Sequence, residues 1–595
     1  MWPVHLSSLV FTTAFVSAFS SSSSSYDYVV VGGGTCGLVV ANRLSEHANI
    51  SVLIIEAGGS VYDNVGVTDP NGYGRAFNTG IDWQYKTEPQ VFADSGIRTL
   101  HASKALGGTS TINGMSYTRA DAAQIDAWET VGNPGWNWRN LYPYYLKAEQ
   151  FQVPTLKQIA GGASYIPEYH GNTGPLKVGW PTNQAINDFP SSLNGSYQAL
   201  GLPFSRDVNG GNMHGFNVYP KTVDTHANVR WDAARAYYWP VAAVRKNLHM
   251  LLNSTVTQVI WKHVKHPQED LTAVGVEVRG FDGTAQVLNA RREVILSAGA
   301  LRTPSLLELS GIGNPDILNK AGIETMVPLP GVGENLIDQT NNGLTFSRKV
   351  SQAYTGSAGY AAYMNITDIL GDSTPKFASS VLEALPSYAS TIATQNNNAT
   401  DVGDVLSLLK IQHSLIFNDE VPVAELIHYP SGNSFGSQFW GTLPFARGNV
   451  HITSSDPRVS AQINPNYFML DYDAKVQVEI ARWMRKLFQV GPLTDIAGAE
   501  TWPGTKAVPS NASDEMWSSW LKKNYNPNYH LLSTTAMMPR ERGGVVSERL
   551  KVHGTTNVRV VDASIFPFQV CGHLMSALYA VAERASDLIK EDGGV

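Results

Sequence analysis

Two cysteines are few for a chain of 595 residues. They stand at Cys36 and Cys571 with no Cys-x-x-Cys spacing, and a bond between them would tie a glycine-rich loop to the far end of the chain. Neither a disulfide framework nor dithiol redox chemistry is expected, and a chain this long can rely on its core instead. A strong charge of either sign is missing as well. The net charge is −7 with 16% charged residues and no Lys/Arg stripe, so nucleic acid is not an expected partner. Beyond the first 25 residues no apolar run approaches the roughly 18 residues needed to cross a bilayer, so no membrane span is expected. No HExxH or other tight ligand cluster appears, so no metal is expected.

What is present is ordinary globular material, 43% apolar with 53 glycines and 31 prolines, long enough for two or more domains. The N-terminus carries an apolar run from Leu6 to Phe19, the small residues Val16-Ser17-Ala18 and a serine tract from Ser20 to Ser25. This pattern predicts a secretory leader over residues 1–20, although His5 is the one candidate cation of its first segment. Sequons at Asn49, Asn194, Asn253, Asn365, Asn398 and Asn511 fit a secreted, glycosylated protein.

The chain is organised around Tyr26 to Gly59. A buried-strand pattern at Tyr28-Val29-Val30-Val31 breaks into Gly32-Gly33-Gly34, a helical run follows from Thr35 to about Glu46, and a second strand, Val52 to Ile55, ends on Glu56. Gly32, Gly34 and Gly37 form G-x-G-x-x-G within this strand–turn–helix–strand unit, with Glu56 nineteen residues after Gly37. The glycines allow a tight turn, backbone approach to a pyrophosphate and close helix–strand packing, while the acid suits an adenosine ribose. The motif predicts a dinucleotide and does not by itself separate NAD from FAD.

Further on, Ser103 to Gly114 is a second glycine- and hydroxyl-rich loop that, alone, would serve equally as a linker. Strand signals recur at Leu248 to Val259, Thr272 to Arg279 and Glu293 to Ser297. A helix is predicted near Thr303 to Glu308, ending at Ser310-Gly311-Ile312-Gly313, and an amphipathic one at Asp473 to Val490. The polar tract Thr391 to Asp401 is expected to be an exposed loop. At the end, a strand from Val558 to Val561 leads through Asp562 and Cys571-Gly572-His573 into a closing helix, which would make the nucleotide domain discontinuous.

In order along the chain, these motifs resemble the FAD-dependent glucose–methanol–choline (GMC) oxidoreductases. Lys104 to Asn113 is similar to one family signature, and Gly299, Ala300, Thr303, Pro304, Ser310, Gly311, Ile312 and Gly313 to the other. The resemblance implies FAD rather than NAD. It implies an α/β fold (α+β overall), with a Rossmann-like FAD-binding domain assembled from residues 21–115, 226–339 and 546–595. A substrate domain with a mixed sheet and helices would come from residues 116–225 and 340–545. Gly32, Gly34, Thr35, Cys36, Gly37 and Glu56 would hold the ADP half. Ser103, Gly107, Gly108, Asn113 and Gly114 would meet the flavin side, Val256 the adenine, and Asp562 and Met575 the region around pyrophosphate and flavin.

By the same resemblance His530 and His573 form the catalytic pair. An imidazole can take the hydroxyl proton of an alcohol near neutrality while a hydride leaves its carbon. His530 is expected as proton acceptor and His573 as its partner, with the exchange of roles left open. Tyr73, Ile427, Trp440 and Asn526 match substrate-contacting positions of the family's glucose oxidases. Asn526 stands where those enzymes carry arginine and Ile427 where they carry phenylalanine, so a flatter, less polar alcohol is expected, as in the secondary-metabolite branch of the family. A small-molecule alcohol and dioxygen are the expected partners, with a quinone as the alternative electron acceptor. A sugar oxidase and a hydroxynitrile lyase remain the competing readings, and a homodimer is left open.

Overall fold

The run Tyr28 to Val31 is buried on both faces, as expected of a central strand in a parallel sheet. In the computed structural model, which describes residues 25–182, 188–263, 269–349 and 359–594, the strand Ser25–Val31 lies between Val52–Ile55 and Ala285–Leu296, parallel to both. The leader expected over residues 1–20 lies outside the described residues. Leu248–Leu251 extends the parallel layer on one side and Val558–Val560 joins Ala285–Leu296 on the other. Ala273–Gly280 and Ser254–Trp261 complete this seven-stranded sheet as an antiparallel flap. One sheet is therefore drawn from three distant stretches of chain.

The closing helix Leu574–Gly593 packs against the first helix, Thr35–Leu44. Arg43 on one reaches the fully buried Glu583 on the other at 2.7 Å. The first helix ends two residues earlier than its sequence pattern predicts, and Ser45 caps it.

A second seven-stranded sheet runs Ala497–Trp502, Thr340–Arg348, Ser434–Gly441, Ala424–Ser431, Tyr360–Met364 and Gly215–Val218, with Asn526–Pro527 beside the start of Thr340–Arg348. Its pairings are antiparallel throughout rather than mixed. The Ala424–Ser431 and Ser434–Gly441 pair is joined by Gly432-Asn433, a two-residue hairpin of the kind that only antiparallel strands permit. The helix Asp471–Leu487 lies along this domain with its acids in the first turn and Arg485 and Lys486 in the last, matching the helix dipole.

The tract Thr391 to Asp401 departs from its expected loop. The helix Thr374–Gln395 runs through half of it, with Ile392 and Ala393 buried. Thr391 and Thr394 donate their hydroxyls to the carbonyls of Ser387 and Ser390, so these polar residues ride on the outer face without breaking the helix.

Gly32, Glu56 and Ser297, each the residue just after a parallel strand of the first sheet, line a cavity of about 690 Å3 shared with Ile427 and Trp440 of the second sheet. Such a crevice is where open α/β sheets take their ligands.

Candidate active site

Glycines shape the cavity nearest the first sheet, and at Gly32 and Gly37 no Cβ fits. Gly32 has φ of +107°, and a Cβ on it would lie 2.3 Å from the carbonyl oxygen of Ser297. Gly37 does not line the cavity; a Cβ there would lie 2.1 Å from the carbonyl of Gly32, so its absence lets the helix sit on the strand. Gly34 precedes Thr35–Leu44, and no side chain caps that helix, which leaves its first amides to a ligand. Thr35 and Cys36 line the cavity beside it. Glu56 accepts the N–H groups of Gly33 (2.8 Å) and Gly58 (2.7 Å), and burial lifts its carboxyl to about 6.

The second loop lies back to back with the first. Gly107 donates its N–H to the carbonyl of Gly33 at 2.8 Å, and a Cβ on Gly108 would come within 2.6 Å of the Gly34 Cα. Gly107 shapes this turn, with φ of +106°, rather than lining the cavity. Ser103, Gly108, Asn113 and Gly114 do line it, as do Val256, Asp562 and Met575. Ser103 is braced on Thr111 at 2.9 Å, Asn113 donates to the Met575 sulfur at 3.2 Å, and Asp562 accepts from Gly299 N–H (2.9 Å) and the Thr303 hydroxyl (2.6 Å).

A dinucleotide fits this donor set. The hydroxyl of Ser297 is buried against the cavity with no partner among the described residues. The long helix Leu574–Gly593 also starts at the cavity without a side-chain cap. Two uncapped helix starts, an orphaned hydroxyl and a glycine cradle suit a pyrophosphate-bridged ligand.

Beside the start of the helix Leu574–Gly593 stand His530 and His573, with ring centroids 5.2 Å apart and planes at 90°. His573 Nε2 lies 3.0 Å from Glu425 Oε1, which also accepts the Tyr363 hydroxyl at 2.9 Å. His530 Nδ1 lies 2.8 Å from Gln339 Oε1, and its backbone N–H donates to Asp338 at 2.8 Å. Burial, and secondarily the charge of His573, hold the His530 imidazole well below the usual histidine range.

Aromatic rings flank this pair. Trp440 stands 6.4 Å from the His530 ring and 6.1 Å from that of His573, centroid to centroid. Tyr73 is 54% exposed but lines the cavity, edge-on to Phe77, which stacks on His101 at 4.1 Å. Ile427, Tyr429, Tyr219 and Tyr529 complete the wall. Asn526, expected on this wall, is outside it: its backbone is held in the short ladder with Asn341 and its side chain is exposed. Asn528, two residues on, lines the cavity and touches His530 at 3.0 Å instead.

Sequence reasoning passed over Glu425, Asp338, Gln339, Asn528 and Lys221. Lys221 lines the cavity, and burial together with the like charge of Arg230 lowers its ammonium to about 8. Asn528 could have been found from its place in Asn528-Tyr529-His530; the others carried no local signal.

With this geometry, the comparisons with known proteins agree. The GMC oxidoreductase family models match residues 26–341 and 444–582, the two segments that supply both glycine loops and both histidines. The chain belongs to the GMC oxidoreductases. It is 44% identical over 575 residues to "glucose oxidase-like protein fsoC" of Humicola fuscoatra, covering 95% of each chain. It is 35% identical over 620 residues to a glucose oxidase of Penicillium chrysogenum, covering 99% of this chain and 98% of that one. Among solved structures, an FAD-dependent oxidoreductase from Chaetomium thermophilum superposes with a TM-score of 0.86 at 27% identity over 96% of this chain and 100% of the other. A fungal aryl-alcohol oxidase does so at 0.84 and 27%, over 96% and 99%. As a GMC oxidoreductase the protein uses FAD and acts on CH–OH donors.

Proposed function

We propose that this GMC oxidoreductase is a secreted oxidase that converts the primary alcohol of a small aromatic or heterocyclic metabolite to the aldehyde. The observation that carries the reading is the facing pair His530 and His573 in the cavity, with Trp440 beside both rings and Tyr73 on the same cavity's wall. His530, held neutral by burial, takes the hydroxyl proton. His573, oriented through Nε2 by Glu425, positions the alcohol oxygen. When bound, FAD would supply the two-electron hydride acceptor, with dioxygen as the terminal oxidant and hydrogen peroxide as its product. Trp440 and the tyrosines exclude water from the reacting carbon and offer flat faces to a flat substrate.

The most specific form of this reading is an enzyme of the patulin synthase kind, oxidising the primary alcohol of ascladiol. Neither curated relative described above bears that name, and its support is the aromatic wall together with the displacement of Asn526 from the cavity. A sugar oxidase is the second reading, favoured by the 35% identity to the Penicillium chrysogenum glucose oxidase.

Secretion is part of the proposal. Among the described residues no helix is long and apolar enough to cross a membrane. Asn49, Asn253, Asn398 and Asn511 are exposed and can accept glycans. Asn365 drops out of the set: it is 9% exposed and its side chain accepts the Asp368 N–H as a helix cap. Asn194 sits half-buried on the helix Phe189–Ala199.

The test is anaerobic bleaching of the oxidised flavin by glucose, a benzylic alcohol and an ascladiol-type hydroxymethyl lactone, followed by air. Bleaching by the last two with rapid return of colour is expected. Bleaching by glucose alone would make it a sugar oxidase, and slow return in air would make it a dehydrogenase. Cyanide release without bleaching would make it a hydroxynitrile lyase.

A further inference from the structure

Gln339 is buried at 1% exposure, immediately before the strand Thr340–Arg348, and its side chain is held at both ends. Its Nε2 donates to the carbonyl of Thr442 at 2.9 Å. A carbonyl only accepts, so the NH2 group must face Thr442 and the amide oxygen must face the other way, toward His530 Nδ1 at 2.8 Å.

The neighbouring amide leaves no alternative acceptor for that nitrogen. Asn341 donates to Asn528 Oδ1 at 3.0 Å, which turns the Asn528 NH2 toward His530 and toward Gln339 Oε1, the latter at 2.9 Å. Around His530 Nδ1 there is thus one acceptor, Gln339 Oε1, and one donor, Asn528 Nδ2. The backbone is fixed in parallel: Asp338 Oδ1 accepts the His530 N–H, Asp338 Oδ2 accepts the Tyr467 hydroxyl at 2.5 Å, and Gln569 donates to the His530 carbonyl at 3.1 Å.

We propose that Gln339 is the positioning residue that holds His530 in its Nδ1–H tautomer, so that Nε2 keeps a free lone pair for the substrate proton. The proposal rests on His530 being the base. Which nitrogen is bare is set by the hydrogen bond the other one makes, and an amide oxygen does this without adding charge. The second histidine is served differently, since Glu425 places a carboxylate on His573 Nε2. The titratable groups facing His530 are His573 across 5.2 Å, Asp338 at its backbone N–H, and, beyond His573, Glu425. With an amide rather than a carboxylate at Nδ1, the pair holds one charged partner instead of two.

Two variants of the FAD-loaded enzyme test this by anaerobic flavin reduction across pH, read beside FAD content and thermal midpoint. Gln339→Leu should keep FAD and lower the maximal reduction rate at least about 10-fold with little change in half-saturation, since a lost positioning bond acts on the reacting geometry. Gln339→Glu keeps the acceptor but adds a charge, and should move the acidic limb of the profile up by about 1 to 3 pH units. An unmoved rate in Gln339→Leu, or an unmoved limb in Gln339→Glu, overturns the proposal. Should Gln339→Leu lose its FAD, nitrogen NMR of wild-type protein labelled at histidine decides: His530 must show a protonated Nδ1 and a bare Nε2, and the opposite tautomer overturns it. His530→Ala separates the layers. If that variant still reduces flavin rapidly the base assignment itself fails; if it is dead while both Gln339 variants behave as wild type, only the role of Gln339 fails.

Discussion

The His530 and His573 rings meet at 90° across 5.2 Å, the first backed by the amide of Gln339 and the second by the carboxylate of Glu425. Two like residues so close would compete for one proton. The unequal backing separates their roles, because the carboxylate brings a negative charge to its histidine, whereas the amide oxygen accepts an N–H without adding charge.

His530→Ala is therefore expected to bind FAD normally and to lose about 10²- to 10⁴-fold in the rate of flavin reduction, the usual worth of a positioned base. Stopped-flow bleaching measures it. Since burial and His573 lower the His530 pKa, its neutral form survives as pH falls through about 6.5, where a free histidine would protonate. Wild-type reduction should hold its rate through that range; an acidic limb centred on it would contradict the assignment.

Glu425 is fully buried, and its Oε1 serves both His573 and Tyr363. Glu425→Gln keeps the shape and removes the charge. A hydrogen bond to a charged group is worth about 1.5–3 kcal/mol, so the turnover step should slow by roughly 10- to 100-fold. Retained FAD absorbance with a slowed turnover supports a positioning role. Colourless protein would mean that Glu425 acts on folding or cofactor retention instead.

Gly32→Ala tests the cofactor cradle alone. The added Cβ would meet the Ser297 carbonyl at 2.3 Å in a backbone conformation with φ of +107°. Both effects press on the turn that carries the free amides, so the variant should purify without its yellow colour. Gly74→Ala is the control, because its φ is also positive, at +84°, and none of the described residues lies within 4 Å of the added Cβ. It should remain yellow.

What could be seen in the chain beforehand was whatever is local. The glycine unit, its acid and the flanking strands announce themselves within Tyr26 to Gly59, because turn, helix start and periodicity are properties of neighbouring residues. His530 and His573 stood out through the residues beside them. Glu425 and Gln339 did not, for their contacts span 148 and 191 residues and exist only after two sheets have closed over the cavity. Asn526 was misplaced for the same reason: a count back from His530 cannot tell that pairing with Asn341 turns this residue to the surface.

A last prediction concerns stability. His451 lies between two buried carboxylates, Nδ1 at 2.7 Å from Glu308 and Nε2 at 3.0 Å from Glu334, and so joins the helix Thr303–Leu309 to the loop Pro330–Leu336. The two acids outweigh the burial that opposes its charge and raise it to about 10, while burial raises both glutamates. A histidine whose folded pKa is raised stabilises fully below its unfolded value of about 6.5 and loses that contribution as pH climbs through the folded value. His451→Gln removes the charge and leaves two carboxylates facing a neutral amide, which should cost about 3–5 kcal/mol near neutrality. Thermal midpoints of the two proteins should then show their full difference at about pH 6.5 and converge as pH approaches about 10. A gap that stays constant past that pH would show that the loss comes from packing alone and that His451 carries no charge in the folded protein.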